Sequence, residues 1–273
     1  MLWLAILTLP LWPPAGPSAA STAQAGDDAT VCEKVHNVDS CWEAGVAAER
    51  RGDAAAAFAA YEQSCSAELT ILGCYEAGKI AFLDPSLRDY RLARKRMAQV
   101  CASSDVGMGP YGCTYLGITQ RDGLGGERLV RESTYSFVRA CFTHNADLFI
   151  DGRGCATLAE RLPDARVMGR TEAEWPREYL RYLTYAMGCT DGMPALCGKA
   201  DETYRRGEGA SAEWVTACED PVLPLAPAGT CRRLAEPALS AEFSQRQILR
   251  RTLADRFEAA TERGVGSGDG NRL

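Results

Sequence analysis

Cysteine spacing constrains this chain more than any other feature. Twelve cysteines fall into six close doublets: Cys32/Cys41, Cys65/Cys74, Cys101/Cys113, Cys141/Cys155, Cys189/Cys197 and Cys218/Cys231. The second members stand at positions 41, 74, 113, 155, 197 and 231, intervals of 33 to 42 residues. A period of that size belongs to two-helix units stacked in a row rather than to one globular core. The expected fold is therefore all-α, an array of about five to six αα-hairpin repeats cross-linked by disulfides.

At 273 residues the chain is long enough to bury a core without covalent staples, so the staples mark an environment. An even cysteine count with no CxxC pair fits a disulfide framework in an oxidising compartment better than thioredoxin-like chemistry or a zinc ribbon. Only His36 and His144 are available for mixed Cys/His metal sites. His144, beside Asn145 and Asp147, reads as a solvated loop residue.

The N-terminus agrees with export. Met1 to Leu11 is almost wholly apolar, a Pro/Ser/Ala-rich stretch follows, and Ala23-Gln24-Ala25 offers a small-x-small cleavage site. Residues 1–25 are expected to be a signal peptide, with an uncleaved anchor as the alternative. No second hydrophobic segment predicts a membrane span in the mature chain. A formal charge of −6 argues against non-specific nucleic-acid binding. The expectation is a periplasmic or secreted monomer.

Aligned on the second cysteine of each doublet, the segments show a common register. They run Cys41-Trp-Glu-Ala44-Gly45, Cys74-Tyr-Glu-Ala77-Gly78, Cys113-Thr-Tyr-Leu116-Gly117, Cys155-Ala-Thr-Leu158-Ala159, Cys197-Gly-Lys-Ala200-Asp201 and Cys231-Arg-Arg-Leu234-Ala235. The fourth position after the cysteine is small in five of the six, Asp201 being the exception. It lies one helical turn on, where a small residue admits a neighbouring helix. Four residues before the first cysteine of each later doublet stand Tyr61, Met97, Phe137, Tyr185 and Trp214, bulky enough to fill the space between helices. Turns are expected at Arg51-Gly52-Asp53, Asp84-Pro85-Ser86, Asp122 to Gly125 and Arg206 to Gly209.

These residues carry a family resemblance. Leu116-Gly117-x-x-Gln120-x-x-Gly123-x-Gly125 and Ala200-Asp201-x-x-Tyr204-x-x-Gly207-x-Gly209 resemble the LGxxYxxGxG core of Sel1-like repeats, relatives of the tetratricopeptide repeat. Arg139-Ala140-Cys141 and Gly112-Cys113-x-x-Leu116-Gly117 are similar to the AC…GCxxLG pattern of the disulfide-bearing subgroup. That subgroup is known from Helicobacter cysteine-rich proteins and a mitochondrial cytochrome oxidase assembly factor. The resemblance spans essentially residues 30 to 262 and implies a right-handed solenoid. The fourth unit departs from it, because Leu162-Pro163 ends its first helix early.

The resemblance implies sequential pairing, each doublet closing on itself, and the spacing supports the same pattern. Such bonds would join the last turn of one unit's second helix to the first turn of the next unit's first helix. Pairing within a hairpin, such as Cys41 with Cys65, is the competitor; it would strand Cys32 and Cys231 at opposite ends. Loops of this size each contribute about 2.5 to 3 kcal/mol by chain entropy.

The array is expected to span 28–239, followed by a capping helix over 240–263 and a disordered tail over 264–273. In the capping helix Phe243, Leu249, Leu253, Phe257 and Ala260 mark an apolar stripe, with Arg246, Arg250, Arg256 and Arg263 on the outer face. Pro221 to Gly229 reads as a flexible spacer.

Signals for chemistry are few. The chain has no HExxH, Walker loop, GxSxG or N-x-S/T acceptor. Gly123-Leu-Gly-Gly126 follows a helix and reads as a turn rather than a phosphate cradle. Arg91, Arg94, Lys95 and Arg96 read as a solvated helix face, with an acidic partner as the minor reading. No catalytic, metal or cofactor residue is expected. Some Helicobacter relatives are described as penicillin-binding or weakly β-lactamase-active, which makes a β-lactam-binding hydrolase the alternative, yet no Ser-x-x-Lys, SDN or KTG occurs here. The preferred expectation is a non-enzymatic scaffold whose first helices line a surface for an envelope protein or peptide. Trp42, Tyr75 and Tyr115 are its candidate contact residues.

Overall fold

The computed structural model describes residues 38–66, 70–103, 107–142, 149–162, 177–208 and 235–262. These hold α1 (Val38–Arg50), α2 (Ala54–Ser66), α3 (Ile71–Leu83), α4 (Tyr90–Ala102), α5 (Gly109–Asp122) and α6 (Val130–Cys141). They continue with α7 (Gly152–Arg161), α8 (Arg177–Cys189), α9 (Pro194–Glu208), α10 (Ala235–Ser240) and α11 (Phe243–Glu262). From α1 to α10 each helix on either side of a described connection packs against the next, as a row of hairpins, and α5 also touches α7 as α6 touches α8. The long α11 returns to pack on α8. Among the described residues no helix is long and apolar enough to cross a membrane.

Short polar side chains start and stop these helices. Asp53 accepts from the Ala56 amide at 3.0 Å, Thr70 from Leu72 at 3.2 Å, and Asp89 from Arg91 and Leu92 at 2.9 and 3.0 Å. Each satisfies donors that the first turn leaves orphaned. Gly52 (φ 76°) and Gly123 (φ 70°) take the left-handed conformation that closes a hairpin. At the turn expected at Arg206–Gly209, α9 continues through Glu208, and Gly209 lies outside the described residues. Leu162 does cap α7, as its Leu-Pro sequence predicts.

Four disulfides join the second helix of one hairpin to the first of the next: Cys65–Cys74, Cys101–Cys113, Cys141–Cys155 and Cys189–Cys197. Their Cα atoms lie 4.5 to 4.9 Å apart. Cys41 is also disulfide-bonded. Cys32, Cys218 and Cys231 lie outside the described residues, as do residues 1–25, expected as a signal peptide, both histidines, Trp214, and residues 221–229 and 264–273. No free cysteine occurs among the described residues, which fits folding in an oxidising compartment.

The register has a packing reason. Tyr61, Met97 and Phe137 are fully buried, and each presses on the small register residue of the preceding helix. A β-carbon on Gly45 would collide with the Tyr61 ring, one on Gly78 would lie 3.0 Å from Met97 Cε, and one on Gly117 would lie 2.7 Å from Phe137 Cε1. Tyr185 and Ala159 are buried in the same C-terminal core.

Two basic assignments are corrected. Arg96 is only 6% exposed, because its Nε and Nη2 reach across to Glu62 at 2.8 and 2.6 Å while Nη1 donates to Gln99 at 2.9 Å. Arg250 likewise leaves the outer face of α11 and inserts at the α8–α9 turn, donating to Thr190 Oγ1 at 2.8 Å and to the Thr190 carbonyl at 3.0 Å. Phe243, expected in the apolar stripe, is 65% exposed, whereas Leu249, Leu253 and Phe257 are buried. The buried α11 stripe begins at Leu249, six residues later than hydropathy indicates, and α11 packs on α8.

Candidate functional site

The first helices of three successive hairpins bring an aromatic and charged strip together. Tyr75 on α3 has its ring 6.2 Å from Tyr111 and 6.3 Å from Tyr115, both on α5. Phe82, two turns further along α3, supports Tyr115 at 5.2 Å and Tyr90 at 5.6 Å. From α7, the Arg153 guanidinium lies 5.3 Å from the Tyr115 ring centre and 5.7 Å from that of Tyr111. Lys79 sits over Tyr75 at 5.8 Å and pairs with Glu76. Three rings and one guanidinium thus form a continuous patch across α3, α5 and α7.

Arg153 is anchored from below. Its Nε and Nη2 donate to Asp151 Oδ1 and Oδ2 at 3.1 and 2.9 Å, and the same carboxylate caps α7 through the Arg153 amide at 3.0 Å. Asp151 is 2% exposed but the Arg153 side chain is 49% exposed, so a buried carboxylate holds a surface cation in one orientation. Hydrogen bonding to Asp151 raises the Arg153 pKa further and keeps it charged. Beside it, Asp191 accepts from the Gly152 amide at 3.0 Å and pairs with Arg250 at 3.4 Å, tying α7, the α8–α9 turn and α11 together. Burial raises the Asp191 pKa and lowers that of Arg250.

Burial, reinforced by Tyr115, pushes the Tyr75 hydroxyl up to about 12. Tyr111 is raised by burial and then by the Asp191 and Asp151 charges. Both phenols therefore keep their protons at neutral pH, and each can donate as well as accept. The strip can recognise a ligand through aromatic edges, hydroxyls and an oriented guanidinium. No group of three His, Cys, Asp or Glu side chains among the described residues could hold a metal ion.

Of the residues expected from sequence, Tyr75 and Tyr115 meet, with Tyr115 mostly buried at 7% exposure. Trp42 has another position. Its ring stacks 5.1 Å from Tyr61 and packs on the core formed by α1, α2 and α3. Near that core Glu49, Gly52, Ala54, Lys79, Ile80, Leu83 and Asp84 line an open cleft of about 340 Å³. The sequence reading missed Tyr111 and Arg153. A signal for them was present, because each stands two residues before the second cysteine of its doublet, so the two occupy equivalent positions on successive first helices.

No family model matches the chain, and no curated protein matches it.

Proposed function

We propose that the protein is an exported, non-enzymatic scaffold of Sel1-like repeats that binds a protein segment or peptide in the cell envelope. The strip of Tyr75, Tyr111 and Arg153, backed by the mostly buried Tyr115, is its recognition surface. One observation carries the reading: a surface guanidinium is pre-oriented by a buried carboxylate and framed by tyrosines from a neighbouring helix. Tyrosine and arginine dominate the energetics of protein interfaces, because each buries a large area at low entropic cost and keeps a polar handle. Disulfides at successive hairpin junctions support the same reading, since a surface held rigid before binding loses less freedom on contact.

The test is a crosslinking co-purification of the oxidised protein from its own envelope fraction beside a Tyr75→Phe/Arg153→Gln variant. Tyr75→Phe keeps the ring, Arg153→Gln removes the charge while keeping a polar amide, and the buried Tyr115 stays in place. The expected result is a stoichiometric partner whose yield falls at least about tenfold in the variant. Equal recovery by both proteins would remove the strip from the interaction.

A further inference from the structure

A second surface lies away from the tyrosine strip, and its character opposes that of the whole chain. The formal charge is −6, yet Arg88, Arg91, Arg94, Lys95, Arg128 and Arg131 gather around the start of α4 and the α5–α6 turn. The turn is seated on α4, since a β-carbon on Gly125 would collide with the Tyr90 carbonyl and Arg94 Nη1 donates to the Glu127 carbonyl at 2.8 Å. All six cations except the half-buried Arg94 are exposed. The carboxylates on or beside the same face are Asp84, whose charge acts on Arg88, Asp89, spent as the α4 cap, Asp122, held by Arg121 and also felt by Arg128, Glu127 and Glu132. With Arg121 counted beside its partner Asp122, seven cations stand against five carboxylates, and two positive charges remain in excess.

Elsewhere basic side chains find carboxylates, as Arg96 does with Glu62, Arg153 with Asp151 and Arg250 with Asp191. None of these six forms an ion pair with a described residue. Four are instead positioned by neutral acceptors. Arg88 reaches the Leu83 carbonyl at 3.5 Å, Arg94 that of Glu127, and Arg128 that of Arg121 at 2.9 Å, while Arg131 approaches the Tyr135 hydroxyl at 3.2 and 3.3 Å. Arg88 and Arg131 also sit over the Tyr90 and Tyr135 rings at 5.7 and 5.8 Å. A carbonyl, a phenol or a ring fixes a guanidinium without cancelling its charge. The remaining N–H groups stay available in a set direction, at reduced ordering cost.

We infer that this face, formed by the first turn of α4, the α5–α6 turn and the first turns of α6, docks an acidic segment of a partner protein. Discrete carboxylates suit it because each can take a guanidinium fork bidentately. A uniformly anionic lipid sheet suits it less. Glu127 and Glu132 stand among the arginines and would meet like charge, and Val130 and Tyr135, at 38% and 40% exposure, are the large apolar groups beside them. The surface goes beyond the proposed strip and does not depend on it.

The experiment is fluorescence anisotropy of the full oxidised chain with a labelled peptide of alternating Asp and Glu, across a salt series. Binding is expected at low salt and should weaken about tenfold between roughly 50 and 300 mM sodium chloride. Arg91→Gln/Lys95→Gln, two exposed positions outside the core, should weaken it by about fivefold with an unchanged melting temperature. Lys199→Gln/Arg206→Gln, which removes the same charge on α9, should leave it unchanged. The proposal fails if the peptide does not bind, if both double variants weaken it equally, or if phosphatidylglycerol vesicles bind more tightly than the peptide by the same basic residues.

Discussion

The Cys101–Cys113 and Cys189–Cys197 junctions solve one packing problem from opposite sides. A disulfide with Cα atoms 4.5 to 4.7 Å apart draws the residues just before its two cysteines into contact. At the first junction these are Val100 and Gly112, and a β-carbon on Gly112 would lie 2.6 Å from Val100 Cβ. At the second the glycine changes sides, since Gly188 on α8 receives Leu196 from α9. The junctions at Cys65–Cys74 and Cys141–Cys155 follow the first pattern, with Gly73 under Ser64 and Gly154 under Ala140. One partner must lack a side chain, and which one is free to vary. The exchange follows burial: α8 packs against α7, α9 and α11, so the helix in the middle presents the flat face.

The largest effect should come from removing the clips themselves. Cys101→Ala/Cys113→Ala should cost about 3 kcal/mol, measured by denaturant unfolding of the oxidised protein. Cys189→Ala/Cys197→Ala closes a shorter loop, 8 against 12 residues, and chain entropy separates the two by only about 0.4 kcal/mol. A wider gap would mean that the two glycine arrangements differ in packing strength.

Next comes the glycine side of each junction. Gly112→Ala should cost about 2 to 3 kcal/mol, because it meets a β-branched side chain near its Cβ and the Cys101 amide at 3.0 Å. Gly188→Ala should cost about half as much, because its nearest obstacle is the terminal Cδ1 of Leu196, which can rotate away. Equal costs at the two junctions would contradict the side-exchange account.

A smaller effect should appear in alkali. Tyr75 has a model-peptide value of 10.0 and a folded value of about 12, the folded value being the higher. Its contribution is therefore complete below pH 10 and is lost as pH rises to about 12. The full difference corresponds to about 2.7 kcal/mol, which solvent screening of this half-buried phenol reduces to about 1 to 2 kcal/mol. Stability measured against pH should decline less steeply over this window in Tyr75→Phe, and an unchanged slope would show that other groups set it. The smallest effect belongs to the exposed Lys199–Glu160 pair, where Lys199→Ala should shift stability by less than about 0.5 kcal/mol.

What could be read from sequence follows from how local each constraint is. Gly45, Gly78 and Gly117 and their partners Tyr61, Met97 and Phe137 were legible because stacking repeats one contact at one offset. Arg250 was not. Its position depends on Thr190 and Asp191, about sixty residues away in a turn that periodicity does not describe. Arg96 was hidden for a similar reason: its Glu62 partner lies in the preceding unit, so a helix face read in isolation looked solvated. Half of the tyrosine strip was legible because Tyr75 and Tyr115 adjoin the register cysteines. Arg153 shares the register position of Tyr111, but its contact with the rings depends on the helix-to-helix approach of α5 and α7, which no single repeat reveals.

The placement of the clips also decides what a protease can do. Between Cys65 and Cys74, Cys101 and Cys113, Cys141 and Cys155, and Cys189 and Cys197, a single backbone cut leaves the two fragments joined by sulfur. At the Gly52–Asp53 and Gly123–Leu129 turns no disulfide among the described pairs crosses the cut. Along its length the molecule alternates between segments that survive nicking and segments where one cut separates it, with the exposed hairpin turns as the vulnerable set.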